Sequence, residues 1–368
     1  MPSTTVSLPK YQTAIVAQGP GKLAIKNDIL VPALEPDMAI VKTAAVAINP
    51  VDAKMLDYSP AAGAVHGYDF SGTVVALGSD VPSHLAVGDR VAGFVHGMNS
   101  LQPGIGAFSE YVGACADILL KIPDHMSFED AAGLGTGVAT AVLGLFRELQ
   151  IPGDLNLGLK SGGGSVQASE KDFVLVAGGS TATGTRAIQL LKLAGLRPIV
   201  TCSPSNFDLV YHFGAEKAFD YHSPNVGAEI RAYTSNTLAY ALDCVSLADT
   251  TQLCYGAIGR AGGRYVALEP FREAIATTRP TIEPSWVMVL TIFGRKVALD
   301  GVYGRDARPE ERVFGAQLFK EVQNLLDCGL IDPHPVKALP GGWEGVIEGV
   351  DKIRNETLSG YKLVYPVL

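Results

Sequence analysis

The sequence is poor in the patterns that build metal cages, membrane spans and nucleic-acid surfaces. Its cysteines are Cys115, Cys202, Cys244, Cys254 and Cys328, and no two stand at CxxC spacing. An odd number without such spacing favours buried free thiols in a reducing compartment. The histidines are His66, His84, His96, His125, His212, His222 and His334, with no HxxxH pair among them. A zinc cluster is therefore disfavoured. No apolar run reaches about 18 residues, so no transmembrane helix is expected. The N-terminal MPSTTVSLPKYQ lacks an apolar signal core, and the expected location is the cytoplasm. The formal net charge is −8 and no sustained basic run occurs, which disfavours nucleic acid and anionic membrane as partners.

What is present fits an α/β protein. A length of 368 residues exceeds a single core, so two domains are expected. Residues 11–48 read as antiparallel strands, TAIVA, LAIKNDIL and AIVKTAAVAI, broken at Asn49-Pro50. HGYDFSGTVVALGSDV reads as a turn and a strand, LAVGDRVAGF as a hairpin at Gly88-Asp89, and GAFSEYV and ILLKIP as further strands. This first part suggests a small barrel-like β domain. At Ser127 the pattern changes to a capped helical stripe through Leu145, with Ser127 and Asp130 in S-x-x-[DE] spacing. Residues 153–170 are rich in Gly and Ser and read as a flexible surface loop. From Phe173 strands and helices alternate, through FVLVA, PIVTCS, AFDY, AYALDCV and RYVAL, and after a loop VMVLTIF is expected as a strand. That alternation specifies a doubly wound parallel sheet. Helices are expected at about 310–328 and 342–354, and YKLVYPV closes the chain as a strand.

The stretch VLVAGGSTATGTRAIQLLKLAG (174–195) is strand, small-residue turn and helix. Such a unit aims backbone N–H groups and a helix N-terminus at one anion, a pyrophosphate in a dinucleotide fold. Three-glycine spacing wants Gly178, a middle glycine and Gly184; Thr181 holds the middle place, where its hydroxyl offers itself to the phosphate. After the next strand come Thr201, Cys202, Ser203, Pro204, Ser205 and Asn206. No carboxylate stands there to hold a ribose 2′-OH, while Ser203, Ser205 and Asn206 can donate to a 2′-phosphate, so NADPH is favoured over NADH. A helix cap at Ser205 or Asn206 is the alternative use. No Arg or Lys lies in this turn, so a charge partner must come from elsewhere.

AVAINPVDAKM (45–55), GYDFSGTVVALGSDV (67–81), VGDRVAG (87–93), GAFSEY (106–111) and the glycine turn, in this order, resemble the medium-chain dehydrogenase/reductase superfamily. Zinc alcohol dehydrogenases of that superfamily carry Cys and Gly-His-Glu where this chain has Asn49-Pro50 and Gly67-Tyr68-Asp69. The chain thus resembles the zinc-free quinone oxidoreductase and enoyl reductase branch. GGSTAT (178–183), TCSPSNFDL (201–209), YALDC (240–244), AIGRAGGRYV (257–266), TIFG (291–294) and LSGYKLV (358–364) resemble, more closely, the lovastatin-type trans-acting enoyl reductases of fungal polyketide synthases.

The resemblance implies a GroES-like β-rich catalytic domain over 1–137 and 303–368 and a Rossmann-type domain over 138–302, with the site in the cleft between them. It implies reduction of the α,β-double bond of a polyketide thioester on the acyl carrier protein of a highly reducing polyketide synthase, or of a synthase–peptide synthetase hybrid. Lys54 is the candidate to polarise the thioester carbonyl or to supply the α-proton, with a solvated surface lysine as the alternative. Thr140 is expected near the nicotinamide. The resemblance assigns cofactor contacts to Pro50, Val51, Asp52 and Ala53, to Ser180, Thr181, Ala182 and Thr183 at the pyrophosphate, and to Ser203, Ser205, Asn206 and Tyr221 at the 2′-phosphate. Leu268, Glu269, Leu358 and Ser359 would lie on the nicotinamide side. Gly137, Trp286, Val289, Leu290 and Phe293 would line the acyl pocket, Trp286 and Phe293 being equally suited to a core. A stand-alone NADPH quinone or alkenal reductase, and an NADPH-binding protein without turnover, are the rival readings.

Overall fold

The structure is a computed structural model that describes residues 8–82, 84–152, 155, 173–355 and 358–367. The expected loop at 153–170 lies outside the described residues apart from Leu155. The chain divides into two compact units. One comprises the described residues of Met1–Thr136, Leu290–Gln323 and Pro333–Leu368; the other comprises those of Gly137–Val289 and Asn324–Asp332.

In the first unit, β1 (Tyr11–Gly19) and β2 (Lys22–Leu30) form an antiparallel pair. The main sheet is built on β3 (Met38–Ala47), β4 (Asp69–Leu77), β5 (Arg90–Phe94), β6 (Tyr111–Cys115) and β7 (Leu120–Lys121). β4 and β5 are antiparallel but are joined by the loop 78–89 rather than by a tight hairpin. Gly88, left-handed at φ 96°, ends that loop and donates to Val74 O at 2.8 Å. Helix Pro50–Tyr58 leaves the end of β3, with Asn49 as its N-cap.

The expected helix from Ser127 is broken into Phe128–Ala131 and Leu134–Val142, followed by a wider turn over Leu143–Glu148. Ser127 caps its first piece as expected, accepting from Asp130 N at 3.0 Å. Close packing requires the glycines beside the break. A Cβ at Gly133 would stand 3.0 Å from Lys362 Cδ, and one at Gly135 would collide with the backbone of Gly93.

Among its described residues the second unit holds six parallel strands. They are β8 (Phe173–Ala177), β9 (Arg197–Cys202), β10 (Lys217–Asp220), β11 (Tyr240–Asp243), β12 (Gly263–Ala267) and β13 (Ile282–Trp286). Their order is β10-β9-β8-β11-β12-β13. Counted from β8 this is 3-2-1-4-5-6, the doubly wound dinucleotide-binding order. All five residues of FVLVA are buried, which suits a central strand covered on both faces. VMVLTIF is not a strand; the sixth strand is IEPSW, and Val289–Phe293 forms a tight helical turn. β13 pairs with β12 alone, so the missing N–H of Pro284 falls on a sheet edge where it does no harm.

The first unit resumes at Leu290, not at 303. The anchoring contact is aromatic: the rings of Phe293 and Phe94 lie 4.8 Å apart. Helix Pro309–Asp327, β14 (Val336–Ala338), helix Gly342–Asn355 and β15 (Lys362–Pro366) complete the chain. β15 joins the main sheet between β14 and β3. No described helix is long and apolar enough to cross a membrane. All five cysteines are free, yet Cys328 is exposed, unlike the buried thiols expected.

Candidate functional site

At the carboxyl end of β8 the chain turns on Gly178, left-handed at φ 78°. The amides of Gly178 and Gly179 both donate to Thr201 O at 3.0 Å. Counted back from Gly184, G-x-G-x-x-G spacing begins at Gly179, one residue later than the turn glycine suggests. A Cβ at Gly184 would collide with Gly178 O, and one at Gly179 would stand 2.7 Å from Val200 Cβ. Both glycines therefore serve close packing of helix Ala182–Leu193 and its turn.

Thr181 is the N-cap of that helix. Its hydroxyl accepts from Gly184 N at 3.0 Å and donates to Gly178 O at 2.8 Å. In this arrangement the hydroxyl serves the helix start and the Gly178 carbonyl. Ser180, Ala182 and Thr183 surround the same helix start, all partly exposed. Gly137 lies beside them: a Cβ there would be 3.7 Å from Ala182 O and from Arg186 Cγ. Thr140 follows on the same helix and is 7% exposed.

The ends of β11 and β12 join this turn. Asp243 Oδ1 accepts from Val245 N and Ser246 N at 3.0 and 2.8 Å, and Oδ2 accepts from Thr250 and Tyr265 hydroxyls at 2.8 Å each. Ser246 Oγ in turn accepts from Leu268 N at 2.8 Å, fixing the segment Leu268–Glu269. Burial nevertheless raises the Asp243 carboxyl above its ordinary value. This turn was missed from sequence, though D-C-V-S at a strand end was the signal.

At the end of β9, Ser203 Oγ lies 3.4 Å from Tyr221 Oη, so these two are brought together. Ser205 and Asn206 form the turn Pro204–Asn206, and Asn206 makes no side-chain cap for the helix after it. A carboxylate does stand close by, on the neighbouring strand rather than on β9. Asp220 is paired in register with Cys202, and its charge, after burial itself, raises the Cys202 thiol to about 12. His222 Nδ1 is 2.7 Å from Asp220 Oδ1, and its ring lies 4.0 Å from that of Tyr221. His222 thus stands beside the turn, between Asp220 and Tyr221.

In the first unit, Pro50, Val51, Asp52 and Ala53 form the first turn of helix Pro50–Tyr58, with Asp52 and Ala53 turned inward. Asp52 Oδ2 accepts from Asn49 N at 2.6 Å, so its carboxyl is a capping group. Complete burial raises it well above the usual carboxylate range. Lys54 is exposed on the opposite face. Leu358 packs partly against the main core, and Ser359 is exposed. Phe293 and Leu290 line a small, largely apolar pocket with Met38, Val95, His96 and Cys115. Trp286 instead packs on the core of the second unit, and Val289 begins the tight turn that follows.

Behind helix Pro50–Tyr58 lies a buried charged cluster that was also missed. Lys362 Nζ donates to Asp69 Oδ2 at 2.6 Å and to Asn49 Oδ1 at 2.7 Å. Asn49 Nδ2 donates to Asp69 Oδ2 at 3.0 Å, while Asp69 Oδ1 accepts from Thr136 N and Oγ1 at 2.7 and 2.6 Å. Asp69 is thus fully engaged by hydrogen bonds and one ammonium. Among the described residues no group of three His, Cys, Asp or Glu is placed to hold a metal ion. With Asn49 and Asp69 bonded to an ammonium, this donor set does not fit zinc.

A β unit of GroES type and a parallel sheet in dinucleotide-binding order define an oxidoreductase fold of the alcohol dehydrogenase superfamily. Residues 35–124 match the family described as alcohol dehydrogenase GroES-like domain, and 182–288 match that described as zinc-binding dehydrogenase. The fold is similar to an alcohol dehydrogenase superfamily protein from Novosphingobium aromaticivorans, with a TM-score of 0.76 at 22% identity over 97% of this chain and 100% of that one. The chain is 68% identical to the trans-enoyl reductase caaB of Aspergillus niger and 65% identical to the trans-enoyl reductase traG of Penicillium crustosum, each over 100% of both chains. It belongs to the trans-enoyl reductase family, oxidoreductases of carbon–carbon double bonds.

Proposed function

We propose that this chain is a trans-acting enoyl reductase that uses NADPH to saturate the α,β-double bond of a polyketide thioester held on the acyl carrier protein of a separate synthase. The observation that carries this reading is full-length identity of 68% and 65% to two trans-enoyl reductases. The partner is a highly reducing polyketide synthase or a synthase–peptide synthetase hybrid.

The residues fit a nicotinamide cofactor. The start of helix Ala182–Leu193 lies at the end of β8, at the switch point between β8 and β11 of a doubly wound sheet, and a helix N-terminus there suits an anion. The 2′-phosphate reading is supported by Ser203 and Tyr221, whose hydroxyls stand together after β9 and β10, with His222 beside them. When bound, NADPH supplies a hydride to the β-carbon of the enoyl thioester.

The chain must then hold the negative charge that develops on the thioester oxygen and protonate the α-carbon. Lys54 is the group proposed for this work. It is exposed on a helix whose other face is locked into the core by Met55 and Leu56. That anchoring fixes the helix that carries Lys54.

The test is reconstitution of the chain with its synthase and NADPH, reading the saturation of the product with and without the reductase. Unchanged products would sink the proposal. In the same assay Lys54→Met lowers kcat by about tenfold or more while the protein stays folded. A variant with wild-type kcat and kcat/KM would remove Lys54 from the reaction but leave the reductase reading standing.

A further inference from the structure

The buried ammonium of Lys362 joins three segments that are far apart in the chain and that each lead to a proposed working residue. Lys362 is 6% exposed, Asp69 fully buried and Asn49 6% exposed. A lysine in such a place must be paired, since an isolated buried charge is strongly disfavoured. Its head bonds Asn49 and Asp69, and its stem runs against Gly133, where no side chain would fit without displacing it. Asn49 is the N-cap of the helix that carries Lys54. Asp69 holds both the amide and the hydroxyl of Thr136, in the first turn of the helix on which Thr140 follows one turn later. Lys362 itself lies three residues beyond Ser359.

We infer that Lys362 is a positioning residue for hydride transfer, acting through Asn49 and Asp69 to set the helix of Lys54 and the helix start at Thr136. This inference rests on the proposed enoyl reductase reaction. A geometric role is favoured because the bonds are directional and closed on one another. Asp69 Oδ2 receives both Lys362 and Asn49, Asn49 binds both Asp69 and Lys362, and Asp69 Oδ1 receives Thr136 twice. Loss of the ammonium leaves Asp69 as an uncompensated buried carboxylate, and both helix starts lose their common tie. Small displacements of reacting groups cost rate rather than binding.

The experiment compares the wild type, Lys362→Met, Lys362→Arg and the double variant Lys362→Met/Asp69→Asn on an enoyl thioester, with NADPH and with NADPH deuterated at the transferring position. Lys362→Met is expected to lower kcat by about tenfold or more, with KM for NADPH within about threefold of wild type and an increased isotope effect on kcat. Lys362→Arg recovers part of kcat, because it restores the cation and a donor fork. Should Lys362→Met fail to fold, the double variant carries the test, since it leaves no orphan charge; its kcat should remain low. A folded Lys362→Met, or the double variant, with wild-type kcat and isotope effect would overturn the inference. So would a loss of activity with the isotope effect unchanged, which is the mark of a smaller folded fraction. A wild type inert towards every enoyl thioester would instead overturn the reductase reading, and the inference with it.

Discussion

Thr181 shows how one hydroxyl decides between two uses. It accepts from Gly184 N and donates to Gly178 O, which makes it a helix cap in the structure. A threonine cap is worth about 1 kcal/mol over alanine and only a few tenths over glycine. Thr181→Ala should therefore lower thermal stability while Thr181→Gly nearly preserves it, and both should keep NADPH affinity within about threefold of wild type. A loss of NADPH affinity much larger in both variants than the loss of stability would return Thr181 to the phosphate. The sequence shows that a small hydroxylated residue occupies this turn. It does not show which partner takes the proton, because that depends on the left-handed Gly178 bringing its carbonyl round. Lys362 was invisible for a related reason: its partners are 313 and 293 residues away in the chain, beyond any spacing rule.

The strands record both what local pattern conveys and where it fails. FVLVA, AYALDCV and RYVAL read directly as buried strands because a doubly covered sheet needs continuous apolar runs. IEPSW does not read as a strand locally, because Pro284 cannot donate to a ladder, and its edge position is what allows it. The ends of β4 and β5 carry a feature with a measurable consequence. His66 and Tyr68 precede β4 and His96 follows β5, all buried. The ring nitrogens of His66, the Tyr68 hydroxyl and His96 Nε2 meet no hydrogen-bond partner among the described residues. Burial lowers both histidines to about 4, so each is neutral in the folded protein at neutral pH. In the unfolded chain they protonate near 6.5. Between these values the unfolded state binds more protons, so their contribution to stability falls as pH drops from about 6.5 towards 4. Each can remove up to about 3 kcal/mol. Asp52, raised by burial, acts in the opposite direction: it favours the folded state as pH falls towards the ordinary carboxylate range. His96→Phe removes one histidine while keeping a ring beside Tyr68. Its melting temperature should fall less than that of the wild type between pH 6.5 and 4.5, and parallel curves would show that His96 is not held neutral.

At the scale of the whole molecule, an acidic chain must accept a highly anionic cofactor. The formal net charge is −8, and the carboxylate of Asp220 stands in register with the last residue of β9. Its bond to His222 lowers the Asp220 carboxyl and keeps it ionised. A 2′-phosphate at Ser203 and Tyr221 would meet that charge together with the His222 ring that masks it. The absence of a carboxylate within 202–206 therefore favours NADPH less simply than the sequence suggests. The balance can be read through folding, because a ligand of the native state stabilises it by mass action, by about 2.7 kcal/mol at 100 times Kd. NADPH should raise the melting temperature more than the same concentration of NADH. Replacing Asp220 by Asn removes a repulsion that only the 2′-phosphate feels, so the NADPH shift should grow while the NADH shift stays constant. An Asp220→Asn protein in which both shifts rise together would place Asp220 near a part common to the two cofactors. A wild type stabilised more by NADH would show that the end of β9 receives a ribose hydroxyl and not a phosphate.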